Sequence, residues 1–330
     1  MTIAKIDITG IGNAIVDVIA HATDQMLQDL DLAKGAMTLI DAERAAAIYA
    51  AMGPAIECSG GSAANTIAGL ASLGGRGAFI GKVCRDQLGT VFRHDIRALG
   101  ATFDTLPAKG STATARCLIF VTPDAQRTML TYLGACVELA PDDIDEDLIA
   151  SSRITYLEGY LWDPPKAKEA FIKAATLAHR AGRKVSLSLS DSFCVDRHRD
   201  DFLDLVSRHV DILFANEQEI ISLYRADDLD EALQNVRGHC EVVALTRSEK
   251  GSIIVAGDDV HVLDAEPVSR VTDTTGAGDA YAAGFLYGLT QGRGPADCGR
   301  MGGICAAEVI SHFGARPEIS LADIVGERMA

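Results

Sequence analysis

Apolar residues recur along this chain with two periods, and the switches between them outline its elements. Residues 5–20 alternate as Ile6, Ile8 and Ile11, then Ile15, Val16, Val18 and Ile19, which predicts two strands around Gly10-Ile11-Gly12-Asn13. Residues 36–40 predict a short strand, and 42–52 an Ala-rich helix. Gly77 to Val83 reads as a buried strand, and Asp86 to Leu99 as an amphipathic helix with Leu88, Val91, Phe92, Ile96 and Leu99 on one face. Residues 113–121 and 127–133 predict an antiparallel hairpin closed by Pro123-Asp124-Ala125-Gln126. From about residue 154 the pattern becomes a regular alternation. Strands near 154–158, 184–190, 210–215 and 241–246 are interleaved with helices near 165–181, 196–208, 217–224 and 228–239. Such alternation predicts a mostly parallel sheet covered on both faces, with ligands outside the carboxyl ends of its strands. The two early β excursions predict a small flap beside it.

Composition narrows the functional classes. The chain has 330 residues, 48% hydrophobic and 23% charged, with a formal net charge of −16. That is ordinary globular composition. A nucleic-acid surface is excluded, because a phosphate backbone demands clustered Lys and Arg. Residues 1–7 read as the beginning of a strand and not as a signal peptide, and the longest uncharged run, Cys58 to Gly75, is too rich in Gly, Ser, Asn and Thr to span a membrane. Eight cysteines are scattered without a C-x-x-C pair, which fits reduced thiols in the cytoplasm. Gly10-x-Gly12 departs from the dinucleotide fingerprint, and the β-branched residues after it predict a strand where a dinucleotide site needs a helix.

Two glycine turns carry the candidate chemistry. In Val271-Thr272-Asp273-Thr274-Thr275-Gly276-Ala277-Gly278-Asp279 a β-branched run breaks into Gly-Ala-Gly and then an apolar helix, from Ala280 onward. Backbone N–H groups at such a turn, with the helix N-terminus behind them, form an anion cradle. Asp279 sits in that cradle, and a carboxylate beside an anion is costly unless it handles a proton or a metal. This points to phosphoryl transfer. A second helix N-terminus follows Ser59-Gly60-Gly61-Ser62, with Asn65 in its first turn. Asn216-Glu217-Gln218-Glu219 also follows a strand, and its Asn-x-x-Glu spacing is equally that of a plain capping box.

Taken together, these stretches resemble the ribokinase-like (PfkB) carbohydrate and nucleoside kinases. Asp273 to Asp279 is similar to that family's C-terminal signature, Asp-Thr-Thr-Gly-Ala-Gly-Asp. Gly60 to Asn65, with Gly81-Lys82-Val83 and Asp86 to Gly89, resembles the N-terminal one, and Asn216 to Glu219 the Asn-x-x-Glu element. Within the family the adenosine kinase branch is most similar, on Gly12-Asn13-Ala14-Ile15-Val16-Asp17, on Arg127 to Leu133, and on Glu158 to Leu161. Two places depart: Asp191 stands where that branch has a small apolar residue, and Thr246-Arg247-Ser248-Glu249-Lys250-Gly251 lacks the first glycine of Thr-x-Gly-x-x-Gly.

The resemblance implies a single ribokinase-like chain of the α/β class, a three-layer α/β/α fold with a mostly parallel central sheet plus a small β-sheet lid. The large domain would comprise about 1–12, 58–100 and 135–330, and the lid about 13–57 and 101–134. It implies ATP-dependent phosphoryl transfer to a primary hydroxyl, adenosine to AMP, with a ribose-type sugar as the alternative acceptor. Asp279 would be the base, weak because a helix N-terminus favours its charged form, and Gly276, Ala277 and Gly278 the anion hole, with side chains at 276 and 278 excluded. Arg127 would close over the phosphates, the alternative being a solvated hairpin residue. Asn13, Asp17, Gly61 and Asn65 would hold the acceptor, and Met37, Met129, Leu133 and Tyr160 would form an apolar slot for a purine. Asn216, Thr246, Ser248 and Gly251, with Gly276 and Gly278, would bind ATP. Glu219 would sit near Mg²⁺ through water, and a monovalent cation, K⁺, near Asp273, Thr275 and the Ser311 to Gly314 loop. Small-molecule substrates are the expected partners, with no nucleic acid and no membrane, and a monomer or homodimer as the assembly.

Overall fold

Strands apolar on both faces collect in one sheet, and strands that alternate collect in another. The computed structural model describes residues 4–124 and 126–330; Met1 to Ile3, where the first strand reading begins, and Ala125 of the hairpin loop lie outside the described residues. In chain order the strands are β1 (Ile6–Ile11), β2 (Ile15–His21), β3 (Met37–Leu39), β4 (Ala55–Gly60), β5 (Gly77–Ile80), β6 (Ala115–Val121) and β7 (Arg127–Tyr132). They continue as β8 (Ser152–Glu158), β9 (Lys184–Ser188), β10 (Ile212–Asn216), β11 (Val242–Thr246), β12 (Ser252–Ala256) and β13 (Asp259–Leu263). The helices are α1 (Asp24–Asp29), α2 (Ala42–Ala51), α3 (Ser62–Ser72), α4 (Gln87–Ala98), α5 (Glu146–Ser151), α6 (Pro165–Arg180) and α7 (Ser192–Arg197). They are followed by α8 (Arg199–Arg208), α9 (Glu217–Tyr224), α10 (Leu229–Val236), α11 (Ala277–Thr290), α12 (Pro295–Val309) and α13 (Leu321–Arg328).

The large sheet runs β13-β12-β11-β10-β9-β8-β1-β5. It is parallel from β11 to β5, with an antiparallel β12–β13 hairpin at the far edge that the sequence pattern did not announce. Its inner strands are buried on both faces, as in β10, where Ile212 to Ala215 are all inside, while the edge strand β13 has no buried residue. On α6 the 3.6-residue spacing turns Ala167, Ala170, Phe171, Ala174, Leu177 and Ala178 inward; all are buried except Leu177, which is half-buried. The helix expected over 196–208 is two, broken at His198, whose ring meets Asp163 at 2.5 Å. Among the described residues, no helix is long and apolar enough to cross a membrane, and all eight cysteines are free.

The small sheet runs β3-β7-β6-β2-β4. The two strands expected around Gly12 therefore belong to different sheets, and the Gly12–Ala14 turn carries the chain from one to the other. Val16, Val18, Leu118, Phe120 and Leu130 pack one face of the small sheet against Leu27, Ile48, Phe92 and Ile96. The other face bears Asp17 and Arg127 and looks toward the large sheet's carboxyl edge.

Helices α3 and α11 approach unusually closely. A Cβ on Gly69 would stand 2.8 Å from that of Ala283, and one on Gly284 2.6 Å from the Met301 carbonyl in α12. Small residues at these crossings bring the N-termini of α3 and α11 to one point.

Candidate active site

That point is Asp279, third residue of α11. Ser62 Oγ, at the start of α3, donates to Asp279 Oδ1 at 2.6 Å, and Asn65 Nδ2, one turn later, to Oδ2 at 3.2 Å. Burial pushes the Asp279 carboxyl up to about 6, while both hydrogen bonds pull it down. A helix N-terminus alone would favour the charged form; here removal from water outweighs the two hydrogen bonds and pushes the carboxyl the other way. A carboxylate near 6 is ionised at neutral pH and still basic enough to share a proton.

The two glycines before it are glycines for different reasons. Gly276 has φ 78°, the left-handed region, and a Cβ there would meet Ala315 at 2.7 Å. At Gly278 a Cβ would meet no atom of the described residues within 4 Å. The space above Gly278 is open, so what a side chain there would obstruct is a ligand reaching the exposed N–H groups, the room a phosphate needs.

Asp273 anchors the turn. Its Oδ1 accepts from Thr275 N at 3.0 Å and Thr275 Oγ1 at 2.7 Å, and its Oδ2 from Gly314 N at 3.0 Å. Arg127 Nη2 lies 2.9 Å from the same Oδ2, with both side chains under 10% exposed. Arg127 is therefore no solvated hairpin residue: it latches the small sheet to the anion turn at Asp273. Phe313, on the 311–314 loop, lies under it at 5.9 Å.

In the small sheet Asp17 lies against Gly60, where any Cβ would overlap its carboxylate. Burial pushes Asp17 up to about 6, opposed by the charges of Arg316 and Arg127 and reinforced by Asp279. Gly61, at φ 98°, makes room for the Asn13 carbonyl and not for a ligand alone. Asn13 is 3% exposed; its Nδ2 donates to Glu158 Oε1 at 2.7 Å, and its Oδ1 has no partner among the described residues. Glu158, at the carboxyl end of β8, also accepts from Ala63 N at 2.8 Å, and burial pushes it up to about 7. It was not singled out for itself in the sequence, although a lone carboxylate closing a buried strand was a legible signal. Arg316 was missed too, and nothing local marks it.

The apolar residues of the small sheet fall into register. Met37, Met129, Ile119, Ile19 and Ile56 form one row across all five strands. They lie on the face that carries Asp17, two residues before Ile19, and Arg127, two before Met129. Met37 and Ile56 at its ends are 52% and 71% exposed. Leu133, half-buried just beyond β7, and Tyr160, 41% exposed in the turn after β8, lie outside this row.

The nucleotide side is less closely knit. Asn216 and Glu219 form the capping box of α9: Asn216 Nδ2 donates to Glu219 Oε1 at 2.7 Å, Asn216 N to Oε2 at 2.9 Å, and Glu219 N to Asn216 Oδ1 at 2.8 Å. The Asn216 amide, expected to reach phosphates, is turned onto Glu219. Burial, with Asp191 nearby, pushes Glu219 up to about 7. Among the described residues no three His, Cys, Asp or Glu side chains converge to hold a metal. A lone buried carboxylate facing another fits an ion carried mainly by phosphates and water. Thr246 ends β11 beside Asn216, Ser248 stands at φ 51° where the family has glycine, and Gly251 at φ 80° packs on Leu263 and Asp264.

The sequence and the fold were compared with those of known proteins. The pfkB family carbohydrate kinase model matches residues 55–321. The crystal structure of a probable sugar kinase protein from Rhizobium etli is 52% identical, with a TM-score of 0.91 and 99% of each chain covered. The adenosine kinase from Sinorhizobium meliloti is also 52% identical, with a TM-score of 0.90 over 99% of this chain and 100% of that one. An uncharacterized sugar kinase from Archaeoglobus fulgidus is 31% identical over 250 residues, 75% of this chain and 96% of that protein.

Proposed function

The chain belongs to the pfkB family of carbohydrate kinases and is an ATP-dependent kinase acting on an alcohol; we propose that its acceptor is a ribonucleoside, adenosine, converted to AMP. The apolar row from Met37 to Ile56 carries this reading. It lies one register step from Asp17, whose two oxygens can accept from vicinal hydroxyls, as in a ribose. A platform of Met and Ile beside such a carboxylate suits a flat base attached to that ribose. A free sugar, polar on every side, would leave it bare. Asn13 Oδ1, without a partner among the described residues, adds an acceptor for a third hydroxyl.

In the proposed reaction the 5′-oxygen attacks the γ-phosphorus of ATP, the bond to the β-phosphate oxygen breaks, and the hydroxyl proton passes to Asp279. The N–H groups of Gly276, Ala277 and Gly278 would steady the charge on the transferring group, and Arg127 would turn from Asp273 to the phosphates as the lid closes. Mg²⁺, when bound with ATP, would neutralise charge on the β- and γ-phosphates. Glu219 would meet it through water. Thr246, Ser248 and Gly251 would line the nucleotide side.

The second reading is a sugar kinase, favoured by the polar Asn13–Glu158 pair and by two relatives described as sugar kinases. A coupled ADP-release assay across adenosine, inosine, guanosine, ribose and fructose decides between them. We expect kcat/KM for adenosine to exceed that for ribose by on the order of 100-fold, the effect of about 3 kcal/mol of base contacts. Faster turnover of ribose or fructose would overturn the nucleoside reading in favour of the sugar kinase.

A further inference from the structure

Three consecutive residues after α12 touch three parts of the site. Gly314 N holds Asp273, and Ala315 packs on Gly276. Arg316 extends the other way, to the acceptor side, where its guanidinium divides over three partners. Nη1 donates to Asp95 Oδ2 at 2.9 Å, Nη2 to Ser59 Oγ at 2.7 Å, and Nε to Asn65 Oδ1 at 3.4 Å. Asp95 Oδ2 is also held by Ser59 N at 2.8 Å and Ser59 Oγ at 2.6 Å. The Arg316 side chain is 18% exposed.

Asn65 is where this network meets the chemistry, because its Nδ2 donates to Asp279. An amide can turn over with little change of shape, and turned over it would aim its oxygen at the Asp279 carboxylate. What fixes it is the group at its far end. A guanidinium has donors only, so it selects the orientation in which the Asn65 oxygen faces Arg316 and the NH₂ faces Asp279. A lysine, with a compact point charge, lacks the fork that reaches Asn65, Asp95 and Ser59 together.

We propose that Arg316 is a positioning residue for phosphoryl transfer: it orients the Asn65 amide toward Asp279 and ties the base to the root of the lid at Ser59. The proposal rests on Asp279 accepting the acceptor's proton. It accounts for an arginine placed between the Asp95 carboxylate and an asparagine that needs one orientation.

The test is the titration of the Asp279 carboxyl, followed by ¹³C NMR in the full-length, ligand-free protein. Wild type is compared with Arg316→Ala, Arg316→Lys, Asn65→Ala and the Arg316→Ala/Asn65→Ala double variant. Other titratable groups whose charge reaches Asp279 are Asp17, Glu158, Tyr156 and Tyr160, unchanged in all five proteins. We expect Arg316→Ala to move the titration to higher pH, as Asn65→Ala does, and the double variant to move it no further than Asn65→Ala. Arg316→Lys, which keeps the charge and most of the packing, should follow Arg316→Ala. A wild-type midpoint in Arg316→Ala or Arg316→Lys, or shifts that add in full in the double variant, would overturn the proposal. In turnover, Arg316→Ala should lower kcat on the order of 10-fold with KM for ATP within about twofold, as for a misaligned reacting group. Failure of the underlying reading registers elsewhere, as undiminished turnover in Asp279→Asn.

Discussion

Glu158 is a buried carboxylate and Asp279 a half-buried one, and their neighbours give them different work. Asp279 is held by two side-chain donors and directly follows Gly278, over which there is open space. Its pKa near 6 places its loss of basicity just below neutrality, and Asp17, coupled to it and also near 6, titrates in the same range. The rate should therefore fall on acidification with an apparent midpoint near pH 6, checked by a kcat/KM profile; a flat profile down to pH 5 would remove Asp279 from the base role. Replacing the base, Asp279→Asn should lower kcat by roughly 10²–10⁴-fold with acceptor affinity little changed, measured by steady-state kinetics beside calorimetric binding. Glu158 instead holds Asn13 from below. In Glu158→Ala the Asn13 Nδ2 and the Ala63 N–H lose their partner, and the Asn13 amide is free to turn. The expected loss is in acceptor KM, about 10-fold or more, with a smaller change in kcat. An unchanged KM would mean that Asn13 does not touch the acceptor.

At the scale of elements, the turn before α11 separates two kinds of glycine. Gly276→Ala forces a residue at φ 78° against Ala315, so it should lower the melting temperature. Gly278→Ala meets no atom of the described residues, so it should melt with wild type while kcat/KM for ATP falls on the order of 10-fold or more. Thermal scans and initial rates on the pair check this, and equal ATP kinetics in Gly278→Ala would show that no phosphate lies over that residue. The lid latch has its own outcome: Arg127→Ala should lower kcat more than it weakens acceptor binding, since the acceptor is held by other residues. How much of this was legible follows from locality. The β10–α9 unit, the α6 stripe and the 273–279 turn are written in consecutive residues, and each is where the pattern puts it. Strand β4 was not, because its apolar residues, Ala55 and Ile56, are exposed on an edge and leave no alternation. The division of α7 from α8 depends on His198 finding Asp163, 35 residues away. Arg316 and Asn65 are 251 residues apart, and only the packing of α3, α11 and α12 makes them neighbours.

For the whole molecule, acidic pH should pull stability and activity in opposite directions. Asp17 and Asp279 are pushed up to about 6, Glu158 and Glu219 to about 7, in each case chiefly by burial. Between the ordinary carboxylate range near 4 and these values, the folded protein binds more protons than the unfolded chain. The free energy of unfolding therefore falls as pH rises through that window, and is regained on acidification. Asp7, Asp86, Asp95, Asp163 and Asp201 behave in the opposite sense, because their pKa values are lowered: what they contribute is kept above about pH 4 and lost below it. From pH 7.5 to 5 the raised group sets the slope, so the melting temperature should rise while the rate declines. The net charge of −16 acts in the same direction, since protonation relieves self-repulsion. Salt separates the two causes. Repulsion between surface charges is largely screened at about 0.5 M NaCl, whereas the cost of ionising a buried carboxylate is not. A rise that survives salt and shrinks in Glu158→Gln belongs to the site; one that salt abolishes belongs to the surface, and a melting temperature that falls from pH 7.5 to 5 would mean that these four carboxylates are ionised in the folded protein at ordinary pKa values.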